Sequence, residues 1–232
     1  MKKKREFKFF RWLFVYIPLL FVATTVLWVL LLRSMPVYVT PLMVQRTFSN
    51  WNKPSYKTYK QWMPLEKISP EIAMAVMASE DTRFLTHNGF DWVEIDKAIQ
   101  AHKKGKKLRG ASTISQQTAK NVFLFPGRSW VRKGFEVYFT FLIEKLWGKK
   151  RILEVYLNVA EMGKGIYGAE AAAERLFSTR AIRLSSRQSA LIAASLPNPL
   201  ERKANAPTQY MNKRATEIQR MMKLIPKPDW LK

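Results

Sequence analysis

The sequence predicts an all-α globular unit behind one N-terminal membrane span, and three observations carry that expectation. One uncharged run is as long as the hydrocarbon layer of a bilayer, the segments after residue 69 repeat apolar residues at helical spacing between recognisable caps, and no alternating strand pattern or internal repeat interrupts them. With 232 residues and 47% hydrophobic content, the part outside the span can bury one good-sized core. The absence of cysteine rules out a disulfide framework and thiolate metal sites, while an exported domain without disulfides remains allowed.

Between Trp12 and Leu32 there is no charge, and at ~1.5 Å per residue the run reaches ~31 Å, about one hydrocarbon thickness. Lys2, Lys3, Lys4, Arg5, Lys8 and Arg11 precede it against a single Glu6, whereas only Arg33 and Arg46 follow before Lys53, so residues 1–11 read as a cytoplasmic tail and the remainder as exported. An uncleaved anchor at 12–32 is favoured over a signal peptide, because the run exceeds the usual h-region of about 7–15 residues and no small-x-small site follows at Arg33-Ser34-Met35-Pro36. Pro18 is expected to kink this helix, with Trp12, Tyr16 and Trp28 toward its interfacial ends. Residues 33–64 read as a juxtamembrane connector, with Pro36, Pro41, Pro54 and Pro64, many aromatics, and a short extended piece at Val37-Tyr38-Val39.

The globular domain is expected over 65–232. Ser69 caps a helix with Pro70 at its first position, and apolar residues from Ile72 to Ala78 carry it to Glu80. Asp91 followed by Glu94 reads as a capping box opening a helix to about His102, and Lys103 to Gly110 as a basic, flexible loop. Further helices are predicted at about 113–124, 130–147, 150–160, 168–177, 186–196 and 208–223.

A net charge of +23 and a pI near 10.3 imply polyanionic partners: nucleic acid, anionic lipid headgroups or phosphorylated substrates. Against that background the stretch from Glu80 to Asp91 is out of character, holding Glu80, Asp81, Asp91 and one of the two histidines, His87. Carboxylates among cations either form salt bridges or do acid/base chemistry. A metal reading of Glu80, Asp81, His87 and Asp91 lacks a second histidine at helical spacing, so His87 reads as a hydrogen-bonded structural residue, Asp91 as a cap, and no metal ligands are assigned.

Winding residues 113–124 at 100° per residue places Thr113, Gln116, Gln117, Lys120 and Asn121 on one polar face. A solvated face usually carries Glu and Lys. This one offers uncharged hydrogen-bonding groups around a single lysine, which suits sugar hydroxyls and a phosphate. The next helix, opened by Ser129, places Arg132 and Glu136 one turn apart beside Lys133, on an otherwise apolar helix that reads as buried. Arg128, in the turn between them, adds a cation where a phosphate would meet a helix N-terminus. Two distant carboxylates with cations suit glycosyl chemistry, in which one group handles a proton and the cations neutralise an anionic leaving group.

These residues fall into ordered blocks: Glu80-Asp81-x-x-Phe84-x-x-His87-x-Gly89-x-Asp91; Gly110-Ala111-Ser112-Thr113-Ile114-Ser115-Gln116-Gln117-x-x-Lys120-Asn121; Arg132-Lys133-x-x-Glu136; and Arg151-Ile152-Leu153-x-x-Tyr156-Leu157-Asn158. A fifth, weaker block runs from Gly168 through Phe177 and Gln188 to Pro199. In order and spacing they resemble the family 51 peptidoglycan glycosyltransferases over about residues 65–225, departing at Ala111, often glycine there, and Thr140, often alanine. With no room for a penicillin-binding transpeptidase domain, the chain resembles the monofunctional type of that family.

The resemblance implies a lysozyme-like, all-α glycosyltransferase domain preceded by a single N-terminal transmembrane helix, with a membrane-proximal lobe. It implies polymerisation of lipid II into β-1,4 glycan strands with inversion, at the outer face of a bacterial inner membrane. Carried over by residue, Glu80 matches the general base and Glu136 the second glutamate, assisting at the donor diphosphate or holding local structure. Lys120 and Arg128 match cations on the diphosphate; Ser112, Gln117, Asn121, Arg132 and Lys133 match residues lining the donor and acceptor subsites. A divalent cation, Mg or Mn, at the diphosphate is the one cofactor to consider. The expected partners are lipid II, the growing strand, membrane lipids, and cell-wall synthesis or division proteins, with no nucleic acid. Two rivals stand beside this reading: a lytic muramidase-like hydrolase using Glu80 as general acid, and a membrane-anchored polyanion-binding module resting on the charge alone.

Overall fold

A computed structural model describes residues 12–105 and 112–231. The expected basic tail at 1–11 and most of the expected basic loop, residues 106–110, lie outside the described residues. The chain divides into two compact units, residues 1–35 and 36–232.

In the first unit, helix α1 spans Ile17–Leu32 and is preceded by a π-wound turn at Trp12–Tyr16. Pro18 explains the change of winding: it lacks an N–H for the carbonyl four residues back, and its ring crowds that carbonyl. Trp12 and Tyr16 stack across this turn with ring centroids 4.9 Å apart. The two hydroxyls of α1 are satisfied within the helix, Thr24 donating to Leu20 O and Thr25 to Phe21 O, both at 2.8 Å. Trp12–Leu32 is long and apolar enough to cross a bilayer, with both threonine hydroxyls bonded internally, as hydrocarbon requires.

The second unit is built on helices. Residues 36–64, read from sequence as a connector, pack into it. Helix α2 (Pro41–Ser49) is capped by Thr40, whose hydroxyl accepts from Met43 N at 3.3 Å, and Thr40 and Met43 are buried. Strand β1 (Tyr59–Lys60) runs parallel to β3 (Ile166–Tyr167), which pairs antiparallel with β2 (Glu161–Gly163), giving the order β1-β3-β2 with an irregularity between Glu161 and Gly163. Strands of two or three residues are too short to show a period of two, so the sequence gives no sign of this sheet. It closes on glycine: Gly165 has φ +71°, and a Cβ there would stand 2.3 Å from Lys57 O.

The predicted helices are present with shifts of a residue or two: α3 (Pro70–Glu80), α4 (Trp92–Lys103), α5 (Ile114–Phe123), α6 (Trp130–Leu146), α7 (Gly148–Val159), α8 (Gly168–Phe177), α9 (Ser186–Ser195) and α10 (Gln209–Met222). Ser69, Asp91 and Ser129 cap α3, α4 and α6 as expected. Asp91 acts alone, accepting from Val93 N and Glu94 N, while Glu94 turns to Lys97; the reciprocal boxes are at Thr113/Gln116 and Ser185/Gln188. Helix α3 is buried from Ile72 to Ala78, which is why its sequence shows no polar stripe, and α9 and α10 pack against it. Helix α5 packs against both α6 and α7.

Asn158 ties the entry segment to this core. Its side chain accepts from Met63 N and donates to Met63 O and Glu154 O, all at 2.8 Å, in a buried position. Asn158→Ala leaves the Met63 N–H and C=O without partners, and we expect a loss of about 2–4 kcal/mol in unfolding free energy, read by urea denaturation of the detergent-solubilised protein.

Candidate active site

Helix α3 ends at Glu80 because the next residue, Asp81, turns to extended backbone (φ −161°, ψ 77°) and is held there by its side chain. The buried Asp81 carboxylate accepts from Ile114 N, the first residue of α5, at 3.0 Å, and from His87 Nε2 at 3.0 Å. His87 Nδ1 accepts from Gly89 N at 3.1 Å, so Nε2 carries the proton and donates. Thr113 closes the loop by donating to Gly89 O at 2.6 Å. Gly89, at φ +92°, lies where a Cβ would be 2.9 Å from Thr140 Cγ2, and Glu144 beneath it is bonded by Ser115 and Lys149. Asp91 caps α4 and pairs with Arg83 at 3.2 Å.

Set by this frame, Glu80 stands half-buried at the head of a cleft of about 1540 Å³. The cleft is lined by Glu80, Ser112 and Gln117 on one side and by residues of α4, the end of α9, the loop after it and α10 on the other, including Arg202 of that loop and Tyr210 and Lys213 of α10. Gln117 Nε2 donates to Glu80 Oε2 at 2.9 Å. The Ser79 hydroxyl is 3.4 Å from both Glu80 Oε1 and Ala193 O, so its one proton is shared between them.

One turn beyond Gln117 on α5, the Lys120 ammonium makes no hydrogen bond or ion pair among the described residues. Burial lowers its pKa; the Glu136 and Glu80 carboxylates pull the other way, and the Arg132 and Lys133 cations add to the lowering. Glu136 is only 3% exposed and is held by Lys133 Nζ at 2.5 Å and Arg132 at 3.7 Å. Asn121 is half-buried beside Lys120, and Arg128 is an exposed residue of the turn before α6.

Two expectations are corrected. The polar face of α5 is not continuous: Thr113 and Gln116 are buried in their mutual capping box, and Gln117, Lys120 and Asn121 are what remains open. Helix α6, expected to be buried, is so only in part: Glu136, Phe139, Thr140 and Ile143 face the core, while Trp130 (89%), Val131 (71%) and Phe141 (54%) are exposed. That its acidic position turns away from bulk water was legible in the composition; that much of its apolar surface stays outside the core was not. Tyr156, given no role from the sequence, lies buried under Gln117 with its hydroxyl 3.3 Å from Gln117 Oε1. Lys213 and Arg202 of the opposite wall also escaped notice, because nothing in their local spacing links them to position 80.

Removing the Asp81 carboxylate strands two buried donors. For Asp81→Ala we expect about 2–4 kcal/mol of lost stability by thermal or urea unfolding, together with loss of activity, because Glu80 loses the fixed turn behind it.

Comparison with known proteins agrees with this geometry. A family model described as transglycosylase matches residues 45–223. The chain is 59% identical over 210 residues to a biosynthetic peptidoglycan transglycosylase of Bacteroides thetaiotaomicron, covering 89% of this chain and 84% of the relative. It is 50% identical over 211 residues to a protein of the same name from Bdellovibrio bacteriovorus (90% and 84%), and 46% identical over 230 residues to one from Xanthomonas euvesicatoria (98% and 92%). A family match across most of the chain and identities of this size over nearly its whole length leave one assignment: the chain belongs to the transglycosylase family.

Proposed function

We propose that this chain is a peptidoglycan glycosyltransferase that joins lipid II units into β-1,4-linked glycan strands from a single-pass anchor, with its N-terminus cytoplasmic and its domain on the outer side of a bacterial inner membrane. The observation that carries the reading is the placement of Glu80 in the wall of a large cleft, within electrostatic reach of a partly buried Lys120 that has no hydrogen-bond or ion-pair partner among the described residues.

In this reading the acceptor lies in the cleft with its 4-hydroxyl against Glu80 Oε1. The acceptor oxygen attacks the donor's C1, the C1–oxygen bond to the diphosphate breaks with its electron pair leaving on the diphosphate, and the hydroxyl proton passes to Glu80. One in-line displacement inverts the anomeric centre. A carboxylate is ionised at neutral pH and takes the proton late, as the hydroxyl acidifies in an oxocarbenium-like transition state. Lys120 and Arg128 receive the diphosphate charge, each well-placed cation worth about 3–4 kcal/mol in a dry site. Glu136 works by holding Lys133 and Arg132 rather than by exchanging a proton, since both its oxygens face cations. Ser112, Gln117 and Asn121 line the sugar and phosphate positions.

A divalent Mg or Mn ion does not suit the residues around Lys120. Glu136 is already engaged, and among the described residues no group of three or more carboxylates and histidines is arranged to hold a metal. The exposed apolar residues of α6 fit a lipid surface, which keeps the domain where donor and acceptor retain their polyprenyl tails and raises their effective concentration. The positive charge flanking the span at its N-terminal side supports the orientation.

A lipid II polymerisation assay on the full-length, detergent-solubilised protein tests the core of this. Glu80→Gln is expected to lower the rate at least ~100-fold with an unchanged melting curve; undiminished polymerisation, or degradation of finished glycan with lipid II left intact, defeats the reading. The alkaline side tests the cation. Because burial lowers the Lys120 pKa, its charge is lost at a pH below the ordinary lysine value of about 10.4, so turnover is expected to fall as pH rises beneath that range. Lys120→Arg, which stays charged, is expected to move that fall to higher pH.

A further inference from the structure

Helix α7 brings Tyr156 beneath the active site with its ring fully buried and its hydroxyl directed at Gln117. Among the described residues Gln117 links that hydroxyl to Glu80: its Oε1 accepts from Tyr156 at 3.3 Å, and its Nε2 donates to Glu80 Oε2 at 2.9 Å. An amide has one end of each kind. The carboxylate can only accept and so takes the nitrogen end, which leaves the oxygen end to accept from the tyrosine; without that second bond the amide keeps its sense but is free to swing away from Glu80 Oε2.

We propose that Tyr156 is a positioning residue for the general base: it locks the Gln117 amide so that its NH2 occupies Glu80 Oε2 and leaves Oε1 as the oxygen that takes the acceptor's proton. The inference rests on Glu80 being that base. Three features of the site fit it. The Tyr156 hydroxyl has Gln117 as its hydrogen-bond partner among the described residues, so its proton has no competing acceptor there. Burial, and then the negative charges of Glu80 and Asp81, push its pKa well above the ordinary tyrosine value, which keeps it a donor at every working pH. Oε1, in contrast, meets among the described residues just the shared Ser79 hydroxyl at 3.4 Å and stays available. Gln117 is thereby a strut for Glu80 as well as part of the cleft wall.

The test uses the full-length enzyme in detergent with lipid II, and the variants Tyr156→Phe, Gln117→Ala, their double, and Gln117→Asn. Tyr156→Phe keeps the ring and removes only the hydroxyl. It is expected to lower kcat about 10-fold or more, in line with a lost hydrogen bond in a charged network, while KM stays within about twofold. In the Gln117→Ala background it is expected to have no further effect, because the linked residue is already gone. Gln117→Asn keeps an amide but is one methylene too short to join both partners; it is expected to lose kcat to a similar degree without disturbing the core. Wild-type kcat in Tyr156→Phe, multiplicative losses in the double variant, or full kcat in Gln117→Asn would each overturn the proposal, the last even if Tyr156→Phe did not fold. A failure of the underlying reading looks different: Glu80→Gln would then keep its rate.

Discussion

The Asp81 carboxylate is the joint on which the site depends. It binds the first N–H of α5 and the His87 ring, and so ties the C-terminal end of α3 to the N-terminal end of α5. A buried carboxylate at a helix N-terminus meets both the unsatisfied backbone donors and the positive end of the helix dipole, so the contact is favourable and directional. Glu80 is the neighbouring residue and has no freedom of its own beyond its side-chain torsions. Gly89, Thr113 and the buried Glu144 close the same loop, which is why so many residues of one short segment are spent on architecture.

Around that joint the charges are sorted by depth. Asp81, Asp91 and Glu136 are buried and each is answered by a donor or a cation, as buried carboxylates must be. Glu80, in the wall of the cleft, is only half-buried. Lys120 is the mirror case, a partly buried cation without a contact partner among the described residues, poised by the surrounding carboxylates against the cost of its own desolvation. A perturbed, partly buried charge of this kind is where a ligand's opposite charge is worth most. Helix α6 joins the two halves of the function, presenting Glu136 and its cations inward and an aromatic surface outward.

Much of this was legible in the sequence. The length and purity of the 12–32 run fit a span because a helix satisfies its own backbone groups in hydrocarbon, and caps such as Ser69, Asp91 and Ser129 mark helix starts because the unsatisfied N–H groups there need a nearby oxygen. The motif blocks were visible because their spacing is fixed by a single turn or a single helix face. The small sheet was not, since each strand is too short to establish a period. Nor was α2, whose Thr40-Pro41 start was hidden in a stretch rich in other prolines.

What the sequence alone determined was therefore local: an apolar helix long enough to span a bilayer, the later helices and their caps, and the pairing of Arg132 and Lys133 with Glu136 one turn away. Tertiary structure decided everything that depends on which surfaces meet. It left Trp130, Val131 and Phe141 of α6 outside the core, removed Thr113 and Gln116 from the open face, and brought Tyr156 from a distant helix under Gln117. The physical reason is range. Caps and helical periods act over three or four residues and can be read along the chain, whereas burial and long-range hydrogen bonds exist only once separate helices have packed.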